Sequence, residues 1–203
     1  MKETNMGSSA MSLETLRDLI AQAAKCAFVA VREELGEANI AGYAILSHDC
    51  AYSCTPVVVT HKAMTTYQHG SAQDVLFSVV EWDHYDNSER FAQVNDVLLA
   101  MYEAGDDEID DQWHEKFREL VFEANVQALE HLVGEGFFGD QQARNTLFVL
   151  FSLSDSETFD SHEPQWVARL NTAQVTQQNA QWRETLDTGM DDIEALIKQL
   201  NLQ

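Results

Sequence analysis

Four residues in the first third of the chain carry the atoms needed for metal chemistry. His48, Cys50, Cys54 and His61 offer imidazole and thiolate, which suit zinc, and a hairpin could bring the first three together. The Cys-x3-Cys-x6-His spacing has no second close pair, however, and alternation along a strand sends neighbouring side chains to opposite faces. Ordinary hairpin residues are the preferred reading, and no metal or other cofactor is expected. A second group, Glu81, Asp83, His84 and Asp86, joins carboxylates to an imidazole at the end of an expected strand, where acid–base work could be done. No nucleophile motif or phosphate-cradling glycine loop accompanies it. Trp82 and Tyr85 among those acids resemble a binding hot spot instead, with aromatic anchors beside charges. A core tryptophan with a polar rim is the competing reading of Trp82. No catalytic residue is assigned.

The other carboxylates fall in two runs. Asp106, Asp107, Glu108, Asp110 and Asp111 form the densest, directly before an expected helix. Each acid at a helix N-terminus complements the macrodipole by ~0.3–1 kcal/mol, which accounts for one or two of the five. Ser154, Asp155, Ser156 and Glu157 follow the most apolar stretch of the chain. They could coordinate a hard cation, although capping of the next turn explains them more simply. Glu123, Gln127 and His131 recur at helical spacing opposite an apolar stripe, which reads as a solvated face.

Charge narrows the partners. The chain has 34 acidic and 12 basic residues among 203, a net charge of −22. That field repels nucleic-acid phosphates and anionic membrane and favours a cationic partner. Solubility by self-repulsion is the plainer explanation of the same number. An odd count of three cysteines makes no disulfide framework, and no apolar run reaches the ~18–20 residues of a membrane span. No secretory signal is visible in the first residues, so the cytoplasm is expected.

The elements that must position these residues are read from periodicity. Residues 1–11 read as a flexible polar leader and 12–203 as a single domain. Ser12 suits an N-cap, Leu13, Leu16, Ile20, Ala23, Ala27 and Val31 share a helical face, and Gly36 suits a C-cap. Strands are expected over 40–46, over 51–59 with Pro56 at an edge or bulge, and over 75–80. Thr60 can cap a short helix. Ser88 can cap a longer one bearing Phe91, Val94, Leu98 and Met101. A third helix carries Trp113, Phe117, Val121, Ala124, Ala128 and Leu132, and ends at the corner Gly136-Phe137-Phe138-Gly139. The apolar strand 146–153 follows. Residues 159–164 read as loop, 166–171 as ambiguous, and 176–202 as a helix broken near Thr188-Gly189, with Ile193, Leu196, Ile197 and Leu200 on its last face. The order predicts an α+β fold: a mostly antiparallel or mixed sheet of about four strands with long amphipathic helices packed on it.

Certain residues then carry a likeness. Tyr43-Ala-Ile-Leu46, Glu81-Trp82, Glu135-Gly-Phe-Phe-Gly139, Ser154-Asp-Ser-Glu157 and Leu170-Asn171, in this order, resemble the bacterial family known as domain of unknown function 4303. At Thr60-His-Lys-Ala63 the chain departs from the Asn-Thr-Glu-Glu that members of that family often carry. The resemblance implies no established catalytic activity, and suggests an immunity protein that neutralises a cognate, basic toxin. Contact would then involve Glu81, Trp82, Asp83, Tyr85, the 106–111 acids, Asp155 and Glu157. Two other readings stay open. One is a metal-dependent or acid–base hydrolase using Glu81, Asp83 and His84 or Cys50, Cys54 and His61. The other is a structural or regulatory module, monomeric or dimerising through its last helix.

Overall fold

A first helix, α1 (Leu13–Leu35), begins where its sequence says it should. Ser12 Oγ accepts from Thr15 N–H at 3.2 Å, and Gly36, at φ +80°, closes the far end by donating to Arg32 O. In the computed structural model the described residues are 11–36, 39–68, 70–79, 82, 84–85, 89–105, 111–154 and 157–200; side chains are excepted at 84–85, 105, 111, 157–160, 187 and 189–200.

Two strands follow as a hairpin, β1 (Ile40–His48) and β2 (Cys54–Thr60), paired antiparallel. Beyond β2 come α2 (His61–Thr66), capped by Thr60, and α3 (Ala72–Phe77). A two-residue strand, β3 (His84–Tyr85), pairs with Val57 and Val58 of β2. A 3-10 turn, Glu89–Phe91, leads into α4 (Ala92–Gly105), and then come α5 (Asp111–Gly134) and the short α6 (Gln141–Arg144). The chain returns to the sheet as β4 (Phe148–Ser154), parallel to β1, and finishes with α7 (Glu157–Leu170) and α8 (Ala173–Leu200). The sheet order is β3-β2-β1-β4: three full-length strands and the short β3. The α+β class and the mixed sheet are as expected.

Nearly every residue of β1, β2 and β4 is buried, so both faces of the sheet are covered. On one face Tyr43 meets Phe28 of α1 and Phe138, with ring centroids 5.2 and 5.8 Å away, and its hydroxyl donates to Ala24 O. Further along, Phe151 packs on Phe122 of α5 and Trp166 of α7. On the opposite face Phe148 meets Phe77 of α3 and Trp82. Strand alternation produces this division, because Gly42 pairs with Phe148 and Tyr43 with Val149.

The glycine corner after α5 forms as its composition predicts. Phe137 N–H donates to Leu132 O and Gly136 N–H to Val133 O, with Gly136 at φ +70°, so a left-handed residue ends the helix by the Schellman pattern. The corner then delivers Phe137 and Phe138 onto Phe28.

Three expectations fail. Residues 75–80 were expected as strand, but 72–77 are helix, because Ser71 and Asp74 form a reciprocal capping box that β-branched propensity does not outweigh. Residues 159–164 were expected as loop because of Pro164, yet α7 runs through that proline. Its buried Glu163, Trp166, Val167 and Leu170 anchor it to the body. The break expected near Gly189 is absent, since one glycine costs a helix only ~1 kcal/mol.

Candidate functional site

The sheet edges show how tightly the frame is fixed. β4 is the outermost strand, and there Asn171 stands in for a neighbour: its Oδ1 accepts from Val149 N–H at 2.9 Å and its Nδ2 donates to Val149 O at 2.7 Å. Asn95 does the same for Cys54 on β2, at 2.8 and 3.1 Å. Each side-chain amide offers one donor and one acceptor, as a strand residue does. The frame carries β1 and β4 to a common end, where His48 and Ser154 pair in register and approach at 3.4 Å (Nδ1 to Oγ).

Beside that end lies a cleft of about 630 Å³ between the first turns of α5 and the middle of α7. Its floor is aromatic: Phe122 and Trp166 meet at 6.0 Å, and His162 stacks on Trp166 at 5.2 Å. Its rim is acidic. Glu115, Glu119 and Glu123 recur every fourth residue along α5 and so share one face. Glu123 is engaged by Arg169, which bridges it to Glu130 through four hydrogen bonds of 2.7–2.9 Å and clamps α7 to α5. That contact holds the Glu123 carboxyl below its usual range and the Arg169 guanidinium above its own. Arg118, the cleft's arginine, pairs with Asp49 at 3.0 Å beside the end of β1. Glu115 and Glu119 are exposed, line the cleft and form no ion pair among the described residues.

The expected contact residues are placed as follows. Trp82 is 2% exposed, donates from Nε1 to Val75 O at 3.0 Å, and lies so close over Gly42 that a Cβ there would meet its ring at 2.8 Å. It is a core residue, and the anchor role expected of it is withdrawn. Glu81, Asp83, Asp86, Asp106, Asp107, Glu108, Asp110, Asp155 and Ser156 lie outside the described residues. So do the side chains of His84, Tyr85, Asp111 and Glu157, and those of Ile193, Leu196, Ile197 and Leu200 on α8. Asp111 and Glu157 are the first residues of α5 and α7, the two helices that wall the cleft. In sequence, the two acidic runs therefore end where the cleft's walls begin.

The cysteine–histidine group does not assemble. Cys54 opens β2 and His61 follows its last residue as the start of α2, and seven strand residues span about 23 Å. Burial pushes the Cys54 thiol up to about 12, far from the thiolate a metal needs. Among the described residues no three of His, Cys, Asp and Glu are grouped to hold a metal ion. Gln127 on the Glu123 face donates to Glu123 at 2.7 Å, and His131 pairs with Glu135 at 3.4 Å. That face is internally bonded and holds no ligand set.

The model of a family described as a domain of unknown function (DUF4303) matches residues 20–172, well over half of the chain. The chain belongs to this family. Neither the curated proteins nor the solved structures compared with it gave a match. The DUF4303 segment contains the whole sheet and both cleft walls, and stops at the residue before α8. The core does not stop there. Val175 is buried, Trp182 Nε1 donates to Asp74 at 2.9 Å, and Arg183 pairs with the buried Glu163. No helix among the described residues is long and apolar enough to cross a membrane.

Sequence reasoning did not find the α5–α7 cleft. Its α7 wall was hidden by Pro164. Glu115 and Glu119, two turns and one turn before Glu123, carry no motif that would single them out in the sequence.

Proposed function

We propose that this DUF4303 protein acts by binding rather than by catalysis, and that its partner is a basic protein that inserts a lysine or arginine into the α5–α7 cleft. Neutralisation of a cognate toxin is the form of that activity suggested by the family resemblance. The observation that carries the reading is the placing of two carboxylates without an ion pair among the described residues, Glu115 and Glu119, beside the apolar floor of Phe122 and Trp166. A low-dielectric wall focuses the field of charges at its rim, and the −22 net charge draws a cation toward it from a distance. The two arginines beside the cleft, Arg118 and Arg169, are committed to Asp49, Glu123 and Glu130.

The test is to mix the purified protein with the basic products of adjacent genes at low and at high salt. A complex that forms at low ionic strength and weakens as salt rises supports the reading. If none of those products associates, or if association is indifferent to salt, the reading fails.

A further inference from the structure

Among the described residues no carboxylate pairs with Arg144 of this acid-rich chain. Arg144, the last residue of α6, is 6% exposed. Its Nη2 donates to Leu170 O at the end of α7, and its guanidinium lies 6.0 Å from the Phe138 ring. The carbonyl end of a helix carries a partial negative charge, which offsets part of the buried charge. It does not offset all of it. Among the described residues Nε is buried with no acceptor, and no carboxylate forms an ion pair with the group. Burial depresses the arginine's pKa, the opposite of what a counter-ion would do. A buried guanidinium without a counter-ion is costly, and such charges are ordinarily paired.

Arg144 borders a separate pocket of about 300 Å³, at the other end of α5 from the acidic cleft. The pocket's described lining contains no aspartate or glutamate, in a chain where acids outnumber bases 34 to 12. Asp140 is adjacent in sequence but is not part of the lining, and its Oδ1 accepts from the amides of Gln142 and Ala143 at the start of α6. The remaining lining suits an anion. Thr172 Oγ1 accepts from Val175 N–H at 3.4 Å and keeps its own proton to donate. Gln141 is exposed, and its side chain makes no hydrogen bond among the described residues, so its amide can donate to a ligand. Val133 supplies an apolar wall.

We infer that this pocket binds a small monoanionic carboxylate, its oxygens held by Arg144 and Thr172 and its short aliphatic tail against Val133. One buried cation matches one negative charge, and the −22 field disfavours a dianion such as phosphate. The site is independent of the acidic cleft and of any protein partner.

Backbone amide NMR during titration with butyrate tests this, using butyramide, inorganic phosphate and ionic-strength-matched chloride as comparisons. Butyrate is expected to shift the Gln141, Arg144 and Thr172 amides with a Kd on the order of 1 mM, as befits a ligand with few atoms. Butyramide and chloride should leave them in place, and phosphate should bind at least about tenfold more weakly. Arg144→Met keeps the side-chain length and removes the charge; it should abolish the butyrate response, and Arg144→Lys should retain a weakened one. If Arg144→Met does not fold, the contrast between butyrate and butyramide on the wild-type protein decides alone. Equal shifts from butyrate and butyramide, or no shift from butyrate, would overturn the assignment.

Discussion

Asn171 and Asn95 each supply, from a side chain, the donor and acceptor that a further strand would have supplied from its backbone. Removing one such amide strands two strand groups at once. Asn171→Ala should therefore destabilise the fold by about 1–3 kcal/mol, read from the urea midpoint at unchanged slope. Gly42 answers to a different constraint. Trp82 occupies the space that any side chain at position 42 would need, with Val59 equally close. Gly42→Ala is expected to cost about 1–3 kcal/mol by overpacking, measured in the same way, and a near-neutral result would show that the ring is free to move aside. The sequence signals neither role. A glycine in a strand reads as a weak position, and an asparagine after a helix as a turn. Each role depends on a group far away in the chain. Trp82 was legible as either an anchor or a core ring, and only its bond to Val75 O and its seat over Gly42 decide between them.

At the scale of elements, the parts with both a clear apolar period and recognisable caps were legible: α1, the β1–β2 hairpin, α5 with its glycine corner, and β4. Where one local signal opposed another, the reading went astray. Val75, Val79 and Val80 suggested strand, while Ser71-x-x-Asp74 specified a helix start. Pro164 suggested loop, while Trp166, Val167 and Leu170 held a helix through it. The ion pairs joining α7 to its neighbours, Arg169 with Glu123 and Glu130 and Arg183 with Glu163, link residues 20 to 46 positions apart, which no local pattern reveals. The first of these predicts a pH dependence. Hydrogen bonds from Arg169 lower the Glu123 pKa in the folded state, so Glu123 contributes stability above its ordinary value of 4.5, and that contribution is lost as pH falls through the lower folded value. Arg169→Met should accordingly lower stability by about 1 kcal/mol near neutrality, a modest figure because the pair is partly exposed, and by less at low pH. Equal losses at pH 7 and in acid, followed by urea denaturation, would mean that Arg169 acts through packing instead.

For the molecule as a whole, the excess of acid over base was plain in the composition, but its arrangement was not. Among the described residues Arg17, Lys25, Arg118, Arg169 and Arg183 pair with carboxylates within the fold, against an excess of 34 acids over 12 bases in the sequence. The cleft between α5 and α7 concentrates part of that surplus over an apolar floor, and in sequence the two acidic runs end at the first residues of its walls. A binding surface of this kind should lose affinity when its rim charges are reversed, without loss of fold, because Glu115 and Glu119 are exposed. The most direct measurement is therefore calorimetric titration of a basic partner into the wild-type protein and into Glu115→Lys/Glu119→Lys, with unfolding curves run alongside. The account predicts at least about a tenfold weaker Kd, roughly 1.4 kcal/mol, for the double variant at unchanged stability. Wild-type affinity in a correctly folded double variant would contradict it.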